Sequence, residues 1–154
     1  YRRFISRPEK SKSKNLPLIT LEANALAWAD TDCLGCANCC KTMSPTYSAK
    51  DISRISAHLQ MTPRAFREKW LYKGQTGDWV NKNQPCQFLD LKTNLCAIYA
   101  VRPQDCAGFP HHSTKKISEY GHVFKQNVEF CPATYRLVEF MQAGLAEGKW
   151  ELKK

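Results

Sequence analysis

The sequence predicts a small, helix-rich α+β single domain with one short hairpin, organised around one or more cysteine-ligated metal sites. Three observations carry that expectation. Helical spacings with recognisable start signals occur at 48–60, after Thr62 and after Cys131. Two short β-type runs flank a polar turn at 90–94. Eight cysteines, at 33, 36, 39, 40, 86, 96, 106 and 131, lie mostly outside those helices.

Composition sets the bounds. The chain has 154 residues, 43% of them hydrophobic, enough for one domain with its own core. No apolar run approaches the roughly 18 residues of a membrane span. The net charge is +9, and residues 1–14 hold +5 of it: Arg2, Arg3, Arg7, Lys10, Lys12 and Lys14 against Glu9 alone. Residues 1–18 therefore read as a basic, flexible tail and 19–154 as the folded domain. The aromatics do not interleave with basic residues as a base-stacking surface requires, so nucleic acid is not an expected partner. The visible N-terminus, at Tyr1, has no apolar signal-peptide core.

In chain order, Leu18 to Asp30 is rich in alanine and leucine and suits a short helix, although its apolar period is loose. Ser48 with Asp51 three residues later forms a capping-box variant, and Ile52, Ile55 and Leu59 follow at helical spacing. Thr62-Pro63 supplies an N-cap and a first-position proline for a helix whose apolar face is Phe66, Trp70 and Leu71. Residues 73–85 are turn-rich, and Trp79-Val80 reads as the start of a short strand. The runs Cys86–Leu89 and Cys96–Tyr99 predict the hairpin. Arg102-Pro103 restarts the chain as a helical turn with proline first, which sets Cys106 near a helix N-terminus. Residues 113–127 read as a polar insert or edge hairpin. Cys131-Pro132 opens a last helix with a face of Tyr135, Val138 and Met141, or of Leu137, Phe140 and Met141. Gly144 and Gly148 interrupt its end.

The chemistry concentrates in Cys33, Cys36, Cys39 and Cys40. A Cys-x2-Cys pair turns back to present two sulfurs to one ion, in zinc ribbons and iron–sulfur proteins alike. Adding Cys39 reproduces the first three ligands of a bacterial ferredoxin run. The nearby Cys-Pro that completes such a run is missing: Met43-Ser44 stand there, and a Cys-Pro occurs only at Cys131-Pro132. Neighbouring side chains diverge by about 100° around a helix, so Cys39 and Cys40 are expected to serve different sites. With eight thiols this suggests two sets of four: Cys33, Cys36, Cys39 and Cys131, and Cys40, Cys86, Cys96 and Cys106. One four-thiolate site with the other cysteines packed as small apolar residues is the competing arrangement. Cysteines at metal-ligand spacing in a chain long enough to fold on a core favour metal-bound thiolates over disulfides, and so a reducing, cytoplasmic setting.

These residues resemble a known family. The series runs Cys33-x2-Cys36-x2-Cys39-Cys40, Pro85-Cys86-Gln87-Phe88-Leu89, Cys96-Ala97-Ile98-Tyr99-x2-Arg102-Pro103-x2-Cys106-x2-Phe109-Pro110, then Cys131-Pro132. It is similar in order and spacing, over about 30–135, to the CxxCxxCC cysteine-cluster group of zinc- or iron-chelating domains, the YkgJ-type proteins. A similar module in flagellin lysine methylase resembles an iron–sulfur binding element. The chain departs from the family at Ala107, where arginine is usual, and at Ala133, where glycine is usual. The resemblance implies metal binding and supplies no substrate. No Gly-rich strand-to-helix turn suits S-adenosylmethionine, so methylase activity does not carry over.

The expected function is metal binding through cysteine thiolates. An iron–sulfur cluster, [4Fe–4S] in preference, is the first reading, with a redox, sensing or accessory role. A zinc-stabilised interaction module, with a protein partner, and a metal storage or delivery protein are the alternatives. A thiol oxidoreductase using Cys33 and Cys36 needs a βαβ context that this region lacks. His111-His112 offers an imidazole near Cys106; His58 and His122 have no ligand-like partner. No nucleophile–base–orienter set is recognisable, so the sequence discloses no reaction.

Overall fold

A computed structural model describes residues 1–11 and 13–151. Lys12 of the expected tail and residues 152–154 of the expected domain lie outside the described residues. In chain order the elements are α1 (Arg2–Lys10), α2 (Leu16–Ala29), α3 (Cys33–Cys36), α4 (Asn38–Thr42), β1 (Thr46–Tyr47), α5 (Ala49–His58), α6 (Pro63–Trp70), β2 (Leu71–Lys73) and β3 (Trp79–Asn81). A 3-10 turn (Tyr99–Val101), α7 (Gln104–Gly108), α8 (Gly121–Phe130) and α9 (Pro132–Ala146) follow. The class is the helix-rich α+β that the sequence predicts, and the described strands form an antiparallel sheet ordered β1-β3-β2. No described helix is long and apolar enough to cross a membrane. The chain gathers into two compact units, one formed by 1–32 with 110–154 and the other by 33–109.

The first unit is helical: α2 packs on α9, and α8 packs on α1 and α9. Arg2–Lys10 is a helix where composition suggested a tail. Arg2, Arg3, Arg7 and Lys10 are exposed, while Phe4 and Ile5 are buried in the core. The loose period of α2 has a simple origin. Ile19, Ala23 and Ala27 face the core while Leu18, Leu21 and Leu26 are exposed. Residues 121–130 form α8 in place of the expected polar insert or hairpin, because Phe124 and Val128, one turn apart, join Ile117 in the core. On α9, Leu137, Val138 and Met141 are buried and Tyr135 is exposed. Gly144 lies against Trp150 so closely that a Cβ there would sit 2.5 Å from the indole ring.

The second unit holds the sheet and the short helices. Ser48 and Asp51 form the expected capping box on α5, and the Thr62 hydroxyl accepts from Ala65 N–H at 3.2 Å to start α6. Phe66, fully buried, stacks on Phe88 with ring centroids 6.2 Å apart. β2 and β3 bracket the turn-rich stretch, which Gly77 (φ +84°) reverses. The expected 86–99 hairpin shrinks to one bridge, Leu89 with Cys96, supported by Ala97 N–H to Phe88 O at 2.8 Å. The 3-10 turn at Tyr99 ends the pairing. Pro103 caps α7 from outside and is not its first residue.

Two buried polar groups give tests of this packing. In the first unit His112 Nδ1–H donates to Asn24 Oδ1 (3.0 Å), Thr134 Oγ1–H donates to Nε2 (2.9 Å), and the ring stacks on Phe124. Burial, with some help from His111, depresses its pKa to about 4. The unfolded chain then binds the extra proton more readily between that value and about 6.5. Stability contributed by the neutral ring is complete above about pH 6.5 and is lost as pH falls towards 4. Over that interval the parent should lose roughly 3 kcal/mol more than His112→Asn, read from urea unfolding at each pH.

In the second unit the Asp51 carboxylate is 2% exposed. It accepts from Ser48 N–H (3.0 Å), Ser48 Oγ–H (2.6 Å), Arg54 (2.8 Å) and Gln104 N–H (3.1 Å). Burial pushes its pKa up, but these donors outweigh it and hold it below the ordinary value. Asp51→Ala removes a helix cap and strands the Gln104 N–H. It should cost about 2–3 kcal/mol at neutral pH, measured by denaturant unfolding.

Candidate metal centre

The second unit contains seven of the eight cysteines; Cys131 lies in the first, buried as the N-cap of α9. All eight are free thiols. Cys33 and Cys36 open and close the single turn of α3, and Cys39 and Cys40 sit on α4. Ala37, at φ +48°, reverses the backbone between those two short helices. Two hydrogen bonds tie this segment to the later cysteines. Cys86 N–H donates to Cys40 O at 2.8 Å, and Asn94 Nδ2 donates to Gly35 O at 2.8 Å. Cys96 pairs with Leu89, and Cys106 lies within α7.

The segment carrying Cys106 is held from two sides. Asp51 takes the Gln104 N–H at the head of α7. Asp105, next to the cysteine, accepts the Thr46 N–H at 3.0 Å, from the start of β1. Arg54 also donates to Arg102 O at 2.9 Å. A helix cap recognisable in the sequence thus also fixes where a distant thiol sits.

Burial is the first influence on the Cys86, Cys96 and Cys106 thiols, and neighbouring thiols add to it. Both push these thiols above their ordinary pKa. Every pair among Cys40, Cys86, Cys96 and Cys106 lies within electrostatic reach. Cys39 joins this group through a hydrogen bond to Cys40 and lies within reach of Cys33 and Cys106. In that bonded pair the Cys39 proton stabilises a Cys40 thiolate, so Cys40 ionises first and Cys39 is raised. The two sulfurs therefore meet, although their Cα–Cβ bonds diverge on α4.

Beside the group stands a polar network that the sequence did not single out. Tyr47 is buried, and its phenol is raised by burial and then by the thiols of Cys86, Cys106 and Cys96. Its hydroxyl donates to Asn81 Oδ1 at 2.6 Å, and Gln87 Nε2 donates to the same oxygen at 2.9 Å. Asn81 read as one more turn residue in a turn-rich stretch. Its place at the end of β3, five residues before Cys86, was the signal available.

A set of close thiols suits a thiophilic ion such as zinc or iron. Among the described residues, no group of three or more His, Cys, Asp or Glu side chains is drawn together tightly enough to hold an ion as it stands. The residues fit such a metal in kind and number, and ligation requires the sulfurs to turn towards one another. His112 is no free imidazole, since both its ring nitrogens are engaged within the first unit.

Comparison with known proteins points to a metal-chelating family. The family described as “CxxCxxCC: Putative zinc- or iron-chelating domain” matches residues 32–132, well over half of the chain. An uncharacterized protein of Methanocaldococcus jannaschii is 32% identical over 81 residues, which cover 51% of this chain and 43% of that protein. The matched stretch thus spans less than half of that relative's length. No solved structure matches the chain. The cysteine series, its placement and the extent of the match together make this chain a member of the CxxCxxCC zinc- or iron-chelating domain family.

Proposed function

We propose that the chain holds an iron–sulfur cluster through cysteine thiolates and serves a redox, sensing or accessory role in a reducing compartment such as the cytoplasm. One observation carries this reading: four thiols from separate segments of the second unit, Cys40, Cys86, Cys96 and Cys106, all lie within mutual electrostatic reach. Cys39, bonded to Cys40, and Cys33 extend that group beyond the four donors a single zinc ion takes. A surplus of adjacent thiols favours a polynuclear centre or two ions. When bound, such a cluster supplies a one-electron couple, and a zinc ion would supply cross-linking of the chain.

The chain's own residues act in defined ways. The four thiols serve as donors, while Cys33, Cys36 and Cys39 supply a second set on α3 and α4. Asp51 and Asp105 fix the Cys106 segment. A zinc-stabilised module is the second reading. It is supported by where the four thiols come from: three of them lie on a one-bridge hairpin and a five-residue helix, segments with little regular structure of their own.

An anaerobic preparation should be brown and contain iron with acid-labile sulfide. A colourless protein holding stoichiometric zinc after anaerobic expression with added iron would refute the cluster and promote the zinc reading. Single Cys→Ser variants at all eight positions, each assayed for bound metal, test the donor sets. Cys40, Cys86, Cys96 and Cys106 should lose metal as one class, and the metal-free protein should lose its cooperative melting transition. Unchanged metal content in any of those four variants removes that residue from the centre.

A further inference from the structure

Asn81 is 5% exposed, and its amide is aimed by its neighbours. Two donors, Tyr47 Oη–H and Gln87 Nε2–H, converge on Oδ1, while the Asn81 backbone N–H is taken by Ser44 Oγ at 2.9 Å. An oxygen that receives two donors fixes which end of the amide is which. The opposite end, Nδ2, is buried and closes no hydrogen bond of full geometry. The group it approaches is the sulfur of Cys86.

Buried donors without acceptors are rare, and one directed at a sulfur asks which form of that sulfur would satisfy it. A thiol is a weak acceptor, whereas a thiolate is a strong one. The reverse arrangement, with both amides turned over, would let a Cys86 S–H donate to Asn81 Oδ1 and would partner Gln87 Oε1, which has none as placed. It would also leave the Tyr47 hydroxyl proton facing an NH2. The orientation present is the one a thiolate calls for.

We propose that Asn81 is a positioning residue of the metal centre, its side-chain NH2 donating to the Cys86 sulfur when that sulfur is a metal-bound thiolate, with Tyr47 and Gln87 setting its direction. The inference rests on Cys86 being a ligand, as proposed above. Hydrogen bonds from such outer groups withdraw charge from a thiolate and orient it, and their loss weakens metal binding by about 10–100-fold.

The test uses the full chain loaded with 113Cd2+ and, separately, with Co2+. In the 113Cd form, the Asn81 side-chain NH2 protons should show a scalar coupling to the metal through the N–H···S bond. Asn81→Asp keeps the oxygen that Tyr47 and Gln87 reach but turns an acceptor towards the sulfur. It should bind Co2+ about 10–100-fold more weakly, with unchanged circular dichroism and the sulfur-to-cobalt charge-transfer band moved to lower energy. Absence of the coupling, or a folded Asn81→Asp protein with parental affinity and spectrum, overturns the proposal. Should that variant fail to fold, the coupling in the unsubstituted protein decides alone. Cys86→Ser separates the two levels of argument. If it binds Co2+ with the parental spectrum, Cys86 is not a ligand and both readings fall there. If it loses thiolate absorption while the coupling is absent, the proposal for Asn81 fails alone.

Discussion

The constraint on which the second unit depends is the crowding of Cys40, Cys86, Cys96 and Cys106. Each is largely withdrawn from water, and each lies where the ionisation of one opposes that of the next. Burial and like charge act together here, whereas at most surface sites they compete with solvation. As thiols the four are tolerable small apolar groups. As thiolates they need a cation among them, and a thiophilic metal meets that need with bonds as well as charge. On the proposed reading, metal binding and folding of this unit would be two sides of one equilibrium.

The scaffold around the thiols is economical. Tyr47, Ile52, Ile55, Phe66 and Phe88 make a core on which α5, α6 and the sheet settle. The segments bearing the cysteines attach to it by few, specific contacts: the Cys86 amide on the Cys40 carbonyl, Asn94 on Gly35, Gln104 on Asp51, Thr46 on Asp105. Each uses a backbone group that regular structure leaves unpaired, so each satisfies that group and ties down a cysteine-bearing segment at once. Asp51 shows the coupling best. Its capping of α5 is local chemistry, yet the same carboxylate reaches 53 residues along the chain to the head of α7.

Much of this was legible in the sequence wherever local chemistry decided the outcome. The Ser48–Asp51 box, the Thr62-Pro63 start and the Cys131-Pro132 start are short-range signals, and each helix begins where they stand. The cysteines stood out by spacing, and all eight lie within the stretch that the family match covers. Where tertiary burial decided, the sequence misled. Arg2–Lys10 looked like a tail because charge dominates its composition, but two adjacent apolar residues suffice once a core receives them. α8 looked polar because Lys125, Gln126 and Glu129 dilute its pattern, while Phe124 and Val128 carry it. The hairpin at 86–99 was over-read, since β-type residues at both ends of a turn do not ensure a ladder. The Asn81 network was invisible in the sequence, because it depends on two partners, Tyr47 and Gln87, that the fold brings to one amide oxygen.

The adjacent pair Cys39-Cys40 shows how far a backbone argument reaches. Divergence by about 100° on a helix concerns Cα–Cβ bonds. A cysteine sulfur stands one further bond out and rotates about χ1, so two neighbours can still bring their sulfurs into hydrogen-bond contact, as they do here. Two donor sets divided between these residues would then share an edge and could not be electrostatically independent. A divalent ion held by four thiolates leaves a net negative charge where neutral thiols stood, so filling one set would oppose ionisation of the other at close range. If both sets fill, they should fill as a coupled pair, and the bond between Cys39 and Cys40 is where that coupling enters.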